Sequence, residues 1–296
     1  MAGVPPGAVI FEGIQSEARN LPSSPDILRL RSVGLAAHGP VLTLTLAQGQ
    51  AVAIVGPAAS GKTRLLRCMA GLDAPVAGQV ELAASAGWPT IVKDKKQTPQ
   101  QLARTGTAAG QATRASDSLN ATRLWERRQS PISELSPSQQ LACELLQVLS
   151  GNDTLLCFDC QLDHFDPWTL RSVMDSLITR MSSGGAIALV TNRPDIVEQC
   201  DLVVAVSEGQ VRHAGRVQDL VKKGTHQMEV VSERQQGVQA LVEPFAINAT
   251  QENGSLVLDA HDGQQLAATL LLEGYGDVRY VVHRQPTIEE CLLGLI

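Results

Sequence analysis

The chain has 296 residues, of which 44% are apolar, 18% charged and 3% aromatic, and it carries a formal net charge of −6. That length predicts two domains of ordinary size, and the acidic balance with no Lys/Arg block argues against nucleic acid as a partner and against a polybasic membrane patch. No window reaches the ~18 apolar residues of a bilayer span, and the opening MAGVPPGAVIFEG lacks a secretory signal's regions, so the expectation is a soluble protein whose membrane contact comes through a partner.

Residues 1 to 27, rich in Pro, Gly and Ser, predict a tail. From 28 to 222, strand and helix signals alternate, which predicts a parallel α/β sheet. AVAIV (Ala51 to Val55) reads as a buried strand. It is followed by GPAASGKT (Gly56 to Thr63), a match to G-x-x-x-x-G-K-[ST], and then by the amphipathic helix TRLLRCMAGL. A strand before and a helix after are the setting this motif needs. Small residues let backbone N–H groups wrap phosphate oxygens, and the helix N-terminus adds partial positive charge. Gly56, Ala59, Ser60, Gly61, Lys62, Thr63 and Arg64 are therefore the candidate nucleotide contacts. Lys62 would bridge the β- and γ-phosphates and the Thr63 hydroxyl would ligate Mg²⁺.

Residues 97 to 130 are polar and rich in Ala, Thr, Gln and Ser, and predict a small helical insertion running to about 134. ELSPSQQ (Glu134 to Gln140) follows. There Ser136 is a natural N-cap, Pro137 fits the first helical position, and Gln139 completes a capping box. LLCFDCQLDHFD (Leu155 to Asp166) begins as an apolar strand ending at Asp159, where doubly wound sheets place their ligands, so Asp159 joins Thr63 as a metal candidate. Cys157 and Cys160 form a CxxC, but matching zinc spacing is missing, and Cys157 reads as a small core residue. AIALVT (Ala186 to Thr191) is a third buried strand. DLVKKGTHQ (Asp219 to Gln227) reads as a linker. Beyond it a small α+β domain is expected over 226 to 296. Its elements are the strand EVV, the helix QQGVQALVEPF, a turn at Asn253-Gly254, the strand SLVLDA, the helix QQLAATLLLEG, the strand DVRYVV, and PTIEECLLGLI as a closing helix with Pro at its first turn. Three N-x-S/T triplets, at Asn120, Asn248 and Asn253, read as chance.

Over residues 28 to 222 these motifs, in this order, resemble an ATP-binding cassette (ABC) ATPase subunit. ELSPSQQ stands where that family has its LSGGQ signature, LDHFD at its D-loop, VTNRP (Val190 to Pro194) at its switch histidine, and Gly71 to Leu82 and Cys200 to Leu220 resemble its flanking segments. The resemblance implies a P-loop NTPase core of the α/β class with a small helical insertion, followed by the α+β domain. It implies ATP and Mg²⁺ as cofactors, and a dimer in which Leu135, Ser136, Pro137, Ser138, Gln139 and Asp166 of one subunit complete the site of the other. It implies a membrane permease as partner and a cytoplasmic position at the inner face of the membrane. The C-terminal stretch YVVHRQPTIEECLLGLI is similar to the extension of export-type (ABC-2) ATPases, where it would add dimer or regulatory contacts.

The departures point the other way on turnover. Cys160 replaces the glutamate that activates water, and a thiol with an ordinary pKa of about 8.5 is a poor substitute. Asn192 replaces the histidine that contacts the γ-phosphate and cannot carry its charge. The glutamine expected after the strand near Trp88 to Val92 has no clear match, and Lys93, Asp94 and Gln97 are the candidates for its place. No Tyr or Phe lies between Leu28 and Val52 to stack on adenine. Pro137 and Ser138 alter the signature without removing its helix start. The reading is an export-type subunit that binds ATP–Mg²⁺ with weak or absent hydrolysis, paired with a permease and, as a heterodimer, with an intact ABC ATPase. The alternatives are a non-transport ABC-like nucleotide-sensing regulatory or assembly protein, and an active P-loop ATPase or kinase of another family using another base.

Overall fold

The computed structural model describes residues 10–14, 25–36, 39–83, 85–106, 112–232, 238, 246, 248–252, 255–260, 266, 270 and 278–295. The chain divides into two compact units with the break between Arg216 and Val217.

In the first unit the strands are β1 (Ile10–Ile14), β2 (Asp26–Gly34), β3 (Val41–Ala47), β4 (Ala51–Val55), β5 (Ala77–Leu82), β6 (Ala86–Gly87), β7 (Leu155–Asp159), β8 (Ala186–Val190), β9 (Leu202–Ser207) and β10 (Gln210–Arg216). The helices are α1 (Lys62–Met69), α2 (Pro99–Thr105), α3 (Ala112–Ala121), α4 (Pro137–Ser150), α5 (Pro167–Ser182) and α6 (Pro194–Val197). Six strands form one sheet in the order β10-β9-β4-β8-β7-β6, parallel except where β10 turns back on β9. The uninterrupted apolar runs of β4, β8 and β9 are explained by this: every residue of all three is buried, as in a sheet covered on both faces.

A second sheet, β1-β3-β2-β5, lies outside what the sequence suggests. Its strands alternate. Leu28, Leu30, Leu42, Leu44 and Leu46 join the core around Val52, Ile54, Leu65 and Leu66, while Arg29 and Arg31 face outward in ion pairs with Asp26 and Glu81. β1 falls inside the stretch expected to be a tail. Its backbone pairs in parallel with β3, because a short apolar run among prolines and glycines suffices for an edge strand. The polar insertion forms α2 and α3, which pack on each other and on α4. Thr98 and Gln101 cap α2 reciprocally, which explains how so polar a segment holds a helix.

The second unit holds α7 (Val217–Lys223), β11 (His226–Ser232), β12 (Asn248–Glu252), β13 (Ser255–Ala260), β14 (Val278–Arg284) and α8 (Ile288–Leu293). The expected linker at 219–227 is thus mostly helix: α7 buries Val217 and Leu220 at helical spacing, and Lys222 and Lys223 lie at its end. The sheet order is β12-β13-β11-β14, antiparallel throughout. The helices expected at 235–245 and 264–274 lie largely outside the described residues, as does the Asn253-Gly254 turn. Val238, Leu266 and Leu270 are described as helical, and they pack with Met228, Val230, Leu256 and Leu258. Pro286 does not open the closing helix; Thr287 caps it, accepting from Glu290 N–H at 3.2 Å while Glu290 accepts from Thr287 N–H at 2.9 Å. The reciprocal cap moves the start one residue past the proline's reach.

Candidate nucleotide-binding site

The loop between β4 and α1 is shaped by backbone conformations that few side chains tolerate. Gly56 has φ 145°, Ala59 φ 60° and Gly61 φ 103°. A Cβ on Gly56 would stand 2.0 Å from the carbonyl oxygen of Val206 in β9, so only glycine fits there. Gly209, in the β9–β10 turn, donates its N–H to the Ser60 carbonyl at 2.9 Å and braces the loop from outside. Lys62 is buried, and its ammonium donates to the carbonyls of Gly56 at 2.7 Å and Pro57 at 2.5 Å. The Ser60 hydroxyl oxygen is buried without a hydrogen-bond partner, a polar atom that a phosphate oxygen would satisfy.

Thr63, in the first turn of α1, donates its hydroxyl to Asp159 Oδ1 at 3.1 Å. One hydroxyl and one carboxylate oxygen, side by side at the mouth of a phosphate-cradling loop, fit a Mg²⁺ that takes its other ligands from phosphate and water. Arg64 follows Thr63 on an exposed position and donates from Nη1 to the Leu35 carbonyl at 3.0 Å.

Cys160 stands at the C-terminal end of β7 with φ 62°, its N–H donating to the Val190 carbonyl of β8 at 3.1 Å. Burial pushes its thiol up from the ordinary value, Asp163 and Asp159 push it further, and Lys62 opposes them. The thiol therefore stays protonated at neutral pH and offers no general base. Cys157 is wholly buried in the core, its thiol pushed up to about 12 by desolvation.

Asn192 follows β8 at the level of the loop. With its amide nitrogen toward the carbonyls, it donates to Gly56 at 2.9 Å and Thr191 at 3.2 Å. Its placement depends on a residue that motif reading passed over. Asp163 accepts the Thr191 hydroxyl on Oδ1 at 2.5 Å and the Asn192 N–H on Oδ2 at 3.1 Å. The only signal for it was its place within LDHFD. Asp166, at the end of that stretch, caps α5 by accepting from Trp168 and Thr169 N–H groups at 3.0 and 2.9 Å; the Thr169 side chain first, and then these N–H groups, hold its carboxyl below the usual carboxylate range.

The ELSPSQQ segment is built as the capping box its spacing predicts. Ser136 Oγ accepts from Gln139 N–H at 3.4 Å, and Gln139 Oε1 accepts from Ser136 N–H at 3.0 Å, with Pro137 in the first turn. Leu135 is buried and Ser138 exposed. Lys95 reaches Gln140 at 2.5 Å, and the Gln97 carbonyl accepts from Ile132 N–H at 3.0 Å, so the 93–97 turn braces the signature segment. Of the three candidates there, Lys93 and Asp94 are exposed and Gln97 is half-buried. The structure thus gathers Gly56 to Arg64, Asp159, Cys160 and Asn192 at one end of the parallel sheet. Among the described residues, no hydrogen bond joins 135–139 to that group.

The model of the ABC transporter family matches residues 41–160. The chain is 30% identical to the aliphatic sulfonates import ATP-binding protein SsuB 1 of Mesorhizobium japonicum, over 57% of this chain and 70% of that protein. It is 28% identical to the lipoprotein-releasing system ATP-binding protein LolD of Paramagnetospirillum magneticum, over 56% of this chain and 85% of the relative. Among solved structures it resembles a dimeric, post-hydrolysis ATP-binding cassette bound to ADP and Pi. That match has a TM-score of 0.54 and 19% identity, and covers 64% of this chain and 98% of the other.

Proposed function

The chain belongs to the family of ABC transporter ATP-binding subunits, and from that premise we propose that it binds ATP–Mg²⁺ through Gly56 to Arg64, Thr63 and Asp159 and turns it over weakly or not at all. One observation carries the reading. The phosphate loop and the Thr63–Asp159 pair, at 3.1 Å, are in place, while the residue that follows β7 is Cys160, a half-buried thiol whose pKa burial pushes up. Loss of a general base costs roughly 10²–10⁴ in rate without touching ground-state binding. The proposed assembly is a dimer docked to a membrane permease at the cytoplasmic face, where an intact ABC ATPase as the second subunit supplies the hydrolysis that this one lacks. No helix among the described residues is long and apolar enough to cross a membrane, so a transporter would need spans from elsewhere. An export role rests on the C-terminal close, β14 followed by the capped α8. The relatives above act in import and in lipoprotein release, and leave the direction to experiment.

The test is co-purification with a candidate permease and measurement of ATP binding and turnover on the complex. Tight ATP–Mg²⁺ binding with turnover at least a hundredfold below that of an intact partner subunit supports the reading. Brisk turnover by this subunit alone ends it. A monomer that binds nucleotide and associates with no permease turns the reading toward a nucleotide-sensing protein.

A further inference from the structure

The first turn of α1 presents an electrostatic problem. It contains Lys62 and Arg64 and no acidic residue, although the N-terminus of a helix already carries partial positive charge. Lys62 settles onto loop carbonyls. Arg64 has no carboxylate partner among the described residues; its one hydrogen bond runs edge-on from Nη1 to the Leu35 carbonyl. That bond ties the guanidinium to the segment that follows β2. Leu35 is itself adjacent to the helix start, since a Cβ on Gly61 would lie 3.9 Å from its side chain.

A nucleotide with its phosphates in the loop must lay its base on a neighbouring surface. Between Leu28 and Val52 the chain offers no Tyr, Phe or Trp for that purpose. Two other guanidinium groups in the stretch are engaged, Arg29 with Asp26 and Arg31 with Glu81. Arg64 remains: an exposed planar cation held by one hydrogen bond from Nη1.

We propose that Arg64 holds the base end of the nucleotide, its guanidinium plane stacking on the purine while its charge offsets the nearby phosphate. The inference rests on the nucleotide site proposed above and names the residue that sets its base selectivity. Guanidinium planes stack on aromatic systems and an ammonium does not, so lysine is the informative replacement. A base–side-chain stack is commonly strong enough to change affinity about tenfold or more.

The experiment measures dissociation constants of Mg²⁺–ATP and of Mg²⁺–tripolyphosphate for the full chain and for Arg64→Lys, Arg64→Ala and His38→Ala. Thermal melting without ligand confirms that each variant folds. The expected result is that Arg64→Lys weakens ATP about tenfold and leaves tripolyphosphate within twofold, and that Arg64→Ala weakens both. His38→Ala, which removes the one imidazole of the stretch, should leave ATP binding unchanged. Equal ATP affinity in wild type and Arg64→Lys, or a loss confined to His38→Ala, overturns the stacking role. Wild-type protein that binds neither ligand refutes the nucleotide site itself.

Discussion

Asn192 hangs from Asp163 by its backbone, N–H to Oδ2 at 3.1 Å, while the same carboxylate takes the Thr191 hydroxyl on Oδ1. One side chain thereby joins the ends of β7 and β8 and aims the Asn192 amide at Gly56. Hydrogen bonds to a charged group contribute about 1.5–3 kcal/mol, with half-exposed ones at the low end. Asp163→Ala should therefore cost about 2 kcal/mol and lower the melting temperature by roughly 4–8 °C. Asp163→Asn keeps one acceptor and should lose about half as much. A scanning-calorimetry shift within 1 °C of wild type for Asp163→Ala would show that the carboxylate carries no such tie.

Removing the ammonium tests the phosphate loop. Lys62→Ala should abolish the rise in melting temperature that millimolar ATP–Mg²⁺ gives the wild type, since a ligand stabilises only the state that binds it. Gly56→Ala should do more damage, because its Cβ would collide with the Val206 carbonyl. The outcome expected there is a drop in melting temperature even without nucleotide.

Cys160→Glu restores a carboxylate but leaves Asn192 in place. Its turnover should rise less than tenfold, whereas Cys160→Glu combined with Asn192→His should rise further. Steady-state phosphate release on the assembled complex reads both. A large gain from the single change would mean that the rest of the site is already competent.

High pH should destabilise the fold through its buried thiols. Cys143, Cys157 and Cys200 are each pushed by desolvation up to about 12, well above the ordinary thiol value. Above pH 9 the unfolded chain sheds these protons while the folded chain keeps them. Stability is thus fully present below pH 9 and is lost as the pH rises toward 12, by up to roughly 1.4 kcal/mol per pH unit for each thiol. Urea midpoints between pH 8 and 11 should fall accordingly, and Cys200→Ala should make the slope shallower.

Ser136 caps α4, so Ser136→Ala should cost about 1 kcal/mol of stability. If the signature segment also completes a partner's site, Ser136→Arg should lower the partner's ATPase rate while this chain's own ATP affinity is unchanged. An unaffected partner rate removes the trans role from this segment.

What could be read from the sequence tracks how local each signal is. The phosphate loop, its strand and its helix were legible because one short stretch carries the spacing, the glycines and the flanking apolar runs. The capping box at Ser136 was legible for the same reason. The sheet formed by β1, β2, β3 and β5 was not, because its pairing joins segments whose short alternating runs look alike in isolation, and β1 is framed by prolines. Asp163 was passed over because its partners, Thr191 and Asn192, lie on another strand's end, and no spacing within LDHFD points to them. The boundary between units falls just after Gly215, whereas the polar stretch 219–227 with its glycine at 224 resembles a linker although α7 occupies most of it.

The contact between Gly56 and the Val206 carbonyl has a consequence for the order in which this protein can be made. β4 takes its neighbours from β8 and β9, and the floor under Gly56 belongs to β9. All of that is synthesised long after the loop itself has left the ribosome. A nascent chain ending before Leu202 carries every residue of the phosphate motif yet lacks the strand against which the motif takes its shape. The loop's shape is therefore complete only late in translation, with the docking of β9.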